Sequence, residues 1–205
     1  MVKNSHGLKA VEWGSVLAIL ILMLACTSDR ESNLSQSTQD ISEPISVVDA
    51  LGRTVSFESV PERIAAISPT ATEILYAAGG TSILRDRSSN FPLEVKSLPD
   101  VGSAYDPSIE TLVSAKPDLV LIESITQARL ASDLEQVNLK VLAVKSETID
   151  DIKNYIIKVG QIIGKETVAS GKVSEIENRL AEAGKTDGRS VLILISDQEL
   201  WNLLL

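Results

Sequence analysis

The chain has 205 residues, 44% hydrophobic and 23% charged, a composition that excludes disorder throughout and suits one or at most two globular domains. Formal net charge is −9; Lys3, Lys9 and Glu12 contribute +1 ahead of Cys26, which leaves about −10 for the remainder, an acidic body that argues against nucleic acid as a partner. The single cysteine, Cys26, and the single histidine, His6, both precede the body, which rules out an internal disulfide and a metal site of imidazole or thiolate there.

Residues 1–25 have the layout of a secretory signal. Lys3 and Lys9 supply positive charge, and Val16 to Ala25 form an apolar core. That core is shorter than the roughly 20 apolar residues a membrane-spanning helix needs. It ends in Met23-Leu24-Ala25-Cys26, which resembles a bacterial lipobox, with Met where Leu is usual. The expectation is lipidation of Cys26, with the acyl chains tethering the protein to a membrane outside the cytoplasm. Residues 26–45 are rich in Ser, Thr, Gln, Asp and Glu and have too few apolar side chains to bury anything, so they are expected to be a linker.

From Ile45 to Phe57 apolar residues alternate around Gly52, the pattern of a small β-hairpin. A strand-then-helix rhythm follows. Strands are expected at Ile64 to Ile67, Ser82 to Arg85, Leu119 to Ile122 and Val141 to Val144. Helices are expected at Ala71 to Ala78, stopped by Gly79-Gly80, at Pro107 to Ala115 with Asp106 as cap, and at Gln127 to Gln136. The helix after Thr148 carries a capping-box start with Asp151, and Ile152, Tyr155, Ile156, Val159, Ile162 and Ile163 recur at helical spacing up to Gly164. A further helix runs from Glu166 to Ala183, and Val191 to Ile195 has the character of one more buried strand. Strands alternating with helices imply an α/β fold, a parallel, Rossmann-like sheet covered on both faces, because parallel pairing needs a crossover and the crossovers here are helices.

No phosphate-binding loop, dinucleotide turn or nucleophile elbow is present in the sequence. Without histidine in the body a Ser-His-Asp relay cannot form, and Asp150-Asp151 sit where acids favour the start of a helix. The expectation is a protein that is not an enzyme and takes no cofactor. In parallel α/β sheets ligands bind beyond the carboxyl ends of the strands. That rule nominates Ser68, Pro69 and Thr70 after the first strand, Arg85, Asp86 and Arg87 after the second, Glu123 and Ser124 after the third, and Lys145 and Ser146 after the fourth. Asn90, Phe91, Ser103 and Tyr105 lie in the irregular stretch expected at the same edge. Arg85 and Arg87 suit an anionic chelate, and Phe91 and Tyr105 offer flat apolar contact.

The ordered runs Asp49-Ala50-Leu51-Gly52-Arg53-Thr54-Val55, Arg63 to Leu75, Asp100-Val101-Gly102, Ser108-Ile109-Glu110 and Lys116-Pro117-Asp118-Leu119-Val120-Leu121 together resemble the periplasmic binding proteins of iron-siderophore and cobalamin ABC importers. The resemblance covers roughly Val47 to Ile195. It implies a two-lobed protein that holds a siderophore, cobalamin or haem between its lobes and delivers it to a permease with a cytoplasmic ATPase. Residues 46–165 would be the amino-terminal lobe and 166–184 the interlobe helix. Residues 185–205 would open a second lobe, and the chain is expected to be a truncated member. At the position of Glu73 the family has a glutamate that docks on permease arginines. The alternative to a solute-binding protein is a membrane-tethered interaction protein that keeps only this docking surface.

Overall fold

The computed structural model describes residues 44–183. The expected signal segment, Cys26, the expected linker up to residue 43 and the strand expected at Val191 to Ile195 lie outside the described residues.

The hairpin forms as its alternation predicts. Strands β1 (Ile45–Val48) and β2 (Thr54–Phe57) pair antiparallel with Val47 opposite Val55, and Val47, Val55 and Phe57 point into the core. Gly52 supplies the positive φ, 76°, that the turn requires. The buried Asp49 carboxylate holds that turn: it accepts the Leu51 and Arg53 amides, both at 2.9 Å, and pairs with the Arg53 guanidinium at 2.5 Å. It also accepts the Ala143 amide at 3.3 Å, so one side chain fastens the hairpin to the sheet.

The sheet has three parallel strands in the order β3 (Ile64–Ala66), β6 (Leu119–Glu123), β7 (Val141–Val144). All five residues of β6 are buried, as a central parallel strand demands. Successive side chains feed two cores. Leu119, Leu121, Leu142 and Val144 meet the hairpin and the helices α1 (Pro69–Ala77), α4 (Ile149–Ile162) and α5 (Glu166–Ala183). Val120, Ile122, Val141 and Ala143 meet Leu84, Val101, α2 (Ile109–Ala115) and α3 (Ala128–Gln136). The mixed α/β fold with a covered parallel sheet is therefore as expected, and so is the Thr148–Asp151 capping box at the start of α4.

Two local expectations are corrected. Residues 82–85 do not form a strand. Ser82 Oγ takes the Ala66 amide at 2.8 Å, a donor that a neighbouring strand would have used, and what remains is the Ile83 to Ile64 hydrogen bond and a lone bridge from Arg85 to Asp100. The ladder of four strands thus becomes three. The second helix starts later than Pro107. Asp106 and Pro107 pair as β5 with β4 (Gly102–Ser103), and Ser108 Oγ is the cap, accepting the Thr111 amide at 3.2 Å. An oxygen placed directly before Ile109 serves the free amides of the first turn, which Asp106 is too far upstream to do.

At the amino ends of the strands, Asp118 accepts the Glu62 and Arg63 amides at 2.9 and 2.8 Å, and Arg63 donates to Ala115 O at 2.7 Å. Helix α5 lies directly on α4: a Cβ added to Gly160 would come within 2.4 Å of the Ala169 side chain. Among the described residues no helix is long and apolar enough to cross a membrane.

Candidate functional site

The loops leaving the carboxyl ends of β3, β6 and β7, together with residues 85–91 and the β4–β5 hairpin, form the rim that the sequence nominates. Its residues divide into two groups.

The first group is committed inward. Ser68 is buried and caps α1 by accepting the Ala71 amide at 3.2 Å. Arg85 directs Nη1 to the carbonyls of Asp86, Arg87 and Ser89 at 3.1, 3.1 and 3.4 Å. It therefore grips its own loop. Glu123 is buried, and its carboxylate accepts the Ile125 amide at 2.7 Å and the Thr126 amide at 2.8 Å. Ser103 Oγ accepts the Tyr105 amide at 3.2 Å. Lys145 pairs with Glu147 at 2.7 Å and lies 3.6 Å from Asp151; the Glu147 hydrogen bond, helped by Asp151, raises its pKa against a desolvation that lowers it.

The second group stands free in solvent. Phe91 is 61% and Tyr105 78% exposed, large values for aromatic side chains. The Arg87 side chain is 74% exposed, with Asp100 as its ionic neighbour at 3.8 Å. Asn90 is exposed as well. Phe91 borders a cleft of about 350 Å³ that also takes in Thr70, Glu73, Ser146, Ile152 and Lys172. Residues following two different strands therefore meet beside it. Tyr105 borders a second hollow, about 470 Å³, with Thr126, Gln127 and Arg129. Glu73 is exposed on α1, and no hydrogen bond or ion pair reaches it among the described residues.

Two buried polar residues shape these loops: Asp86, which the sequence nominates for ligand contact, and Gln127, which it does not. Asp86 is fully buried and accepts from the Ser88 amide at 2.7 Å and from the hydroxyls of Ser88 and Ser89; Ser89 in turn meets Thr72 at 3.2 Å. Gln127 is buried at the start of α3. Asp86 binds residues two and three positions on, a local turn, whereas Gln127 serves carbonyls 60 and 23 residues away that no local signal marks. Among the described residues no cluster of acids, histidine or cysteine could hold a metal ion.

The profile of the family described as "Periplasmic binding protein" matches residues 64–197. The chain belongs to this family. Among its relatives, the ABC transporter substrate-binding lipoprotein YvrC of Bacillus subtilis is 26% identical over 90% of this chain and 63% of its own length. The ferric-anguibactin-binding protein FatB of Vibrio anguillarum is 27% identical over 81% of this chain and 55% of its own. The crystal structure of the periplasmic vitamin B12 binding protein BtuF of Vibrio cholerae superposes with a TM-score of 0.56 at 25% identity, covering 60% of this chain and 49% of that one. The chain thus spans about half to three fifths of the length of these family members.

Proposed function

We propose that the chain is an extracytoplasmic solute-binding lipoprotein that captures a metal chelate of the siderophore, cobalamin or haem kind and presents it to an ABC permease and its ATPase. The observation that carries the reading is the split of the rim. Arg87, Phe91 and Tyr105 stand exposed beyond the carboxyl ends of a parallel sheet, on loops held by Arg85, Asp86 and Glu123, with the Arg85 Nε left as a buried donor without a partner. Phe91 and Tyr105 border separate hollows, and the Tyr105 hollow is also lined by Arg129; aromatic faces and guanidinium groups at one rim suit a flat, partly apolar anion. Thr70 and Ser146 add hydroxyls at the same edge. Ser68, Arg85, Ser103 and Glu123 then act by shaping the loops. Helix α5 is the proposed interlobe helix, and the acyl chains on Cys26 are the proposed membrane anchor. The names of FatB and BtuF, which state a ferric siderophore and vitamin B12, support the ligand class.

Titrating the full chain with a ferric catecholate, cyanocobalamin and haemin, followed by tryptophan quenching, tests this reading. Saturable binding of one of them, weakened by Phe91→Ala or Tyr105→Ala, is the expected result. Indifference to all three would end it.

A second reading is favoured by Glu73, whose free carboxylate on α1 suits docking to permease arginines. A membrane-tethered docking protein would bind the permease without binding a chelate. Pull-down with a cognate permease, lost on Glu73→Arg, is the outcome that separates it.

A further inference from the structure

We propose that Gln127 is a positioning residue that sets the Tyr105 turn in the solute-capturing rim; the inference rests on the capture reading above. Gln127 is 2% exposed, and its carboxamide is fully used. Oε1 accepts the Glu123 amide at 2.8 Å, while Nε2 donates to Ile67 O at 2.9 Å and to Ala104 O at 2.6 Å. These partners lie at the end of β6, just beyond the end of β3, and immediately before Tyr105. One side chain thus joins two strand ends and a hairpin tip.

The tip has little else to hold it. The β4–β5 ladder is two residue pairs long, Gly102 with Pro107 and Ser103 with Asp106, and so short a hairpin is marginal by itself. Its base is anchored by hydrogen bonds from the Arg87 amide to Gly102 O and from the Ser108 amide to Val101 O, both 2.7 Å. At the tip, the Tyr105 amide bonds only within the turn, to Ser103 Oγ at 3.2 Å. Among the described residues the Gln127 to Ala104 bond is the side-chain tie from the tip into the sheet. A tyrosine that projects into solvent can offer a fixed face to a ligand only if its backbone is fixed, because ordering a loose turn on binding consumes affinity.

The test is fluorine NMR of the full chain carrying 3-fluorotyrosine. Its three tyrosines, Tyr76, Tyr105 and Tyr155, give one resonance each, and Tyr105→Phe assigns the one of interest. Gln127→Met removes all three bonds; Gln127→Glu keeps the acceptor toward Glu123 and sets a carboxylate against the Ile67 and Ala104 carbonyls. Both are expected to broaden the Tyr105 resonance or move it toward free fluorotyrosine, with Tyr76 and Tyr155 unchanged as the sign of an intact fold. Hydrogen exchange of the amides at 103–105 is expected to quicken in parallel. An unchanged Tyr105 resonance in either folded variant overturns the proposal.

Where wild type binds haemin or cyanocobalamin, Gln127→Glu should weaken that binding about five- to tenfold, the scale of one lost hydrogen bond. Adding Tyr105→Ala should then cost less than it does alone. Equal, additive losses would also overturn the proposal. If wild type binds neither compound, the capture reading fails, while the fluorine spectrum still decides whether Gln127 sets the turn.

Discussion

The two ends of the strands use the same kinds of side chain for opposite ends. At the amino ends, and where the hairpin meets β7, the charged groups of Asp49, Arg53, Arg63 and Asp118 are bonded to the protein's own backbone. Asp118 takes the Glu62 and Arg63 amides, Arg63 gives to Ala115 O, and Asp49 with Arg53 locks the hairpin turn. At the carboxyl ends, Arg87, Phe91 and Tyr105 remain unspent while Arg85, Asp86 and Glu123 hold their loops. The difference teaches that a motif of family character need not touch a ligand. Asp49 with Arg53, and Arg63 with Asp118, maintain the scaffold, and the proposed recognition chemistry falls to the exposed Phe91, Tyr105 and Arg87.

Breaking the fastened end should be costly, and Asp49→Ala should cost most. It removes a buried carboxylate that accepts the Leu51, Arg53 and Ala143 amides and faces the Arg53 guanidinium. The Arg53 guanidinium, partly exposed, keeps Glu135, so the loss comes from the buried amides left without an acceptor, about 3 kcal/mol in all. Urea unfolding of the full chain should show the midpoint fall by that amount at constant slope, and a loss below about 1 kcal/mol would show that water replaces the carboxylate. Asp118→Ala should cost less, about 1–2 kcal/mol by the same measurement, because its amide partners lie near solvent.

The presenting end should respond in the opposite way. Phe91→Ala and Tyr105→Ala remove side chains that bury little, so stability should stay within about 0.5 kcal/mol of wild type while any chelate binding weakens. A larger drop in the urea midpoint would mean that these rings hold the fold together, and the contrast between the two ends would be lost.

The same contrast explains what the sequence made legible. Apolar periodicity located β6, β7, α4 and α5, because burial of whole side-chain faces repeats along a regular element. The Thr148–Asp151 cap was legible because both partners lie within one turn. Ser82 was misread as strand because its hydroxyl, not its backbone, meets Ala66. For Ser68 and Glu123, the rule that ligands sit past strand ends chose the right edge and was blind to hydroxyls and carboxylates already bound to nearby amides. Gln127 was invisible because the carbonyls it serves lie 60 and 23 residues away. Where polar burial depends on distant partners, as at Gln127, no local pattern encodes it.

The smallest expected effect lies at the carboxyl rim, at the start of α4, and depends on pH. Burial raises the Asp151 pKa, but the Thr148 hydroxyl and amide and the Lys145 ammonium together outweigh it, holding the carboxyl below its ordinary range. A carboxyl depressed in the folded state binds fewer protons there than in the unfolded chain. Its contribution is therefore fully present above the unfolded value, about 3.9, and is lost as pH falls through the lower folded value. Wild type should exceed Asp151→Asn in stability at neutral pH, with the gap constant down to about pH 5 and closing below about pH 4. Lys145 has the opposite sign: its raised pKa makes its contribution complete at neutral pH and lost only in strong alkali. A gap that closed instead near neutrality would assign the effect to some other group, since neither partner titrates there.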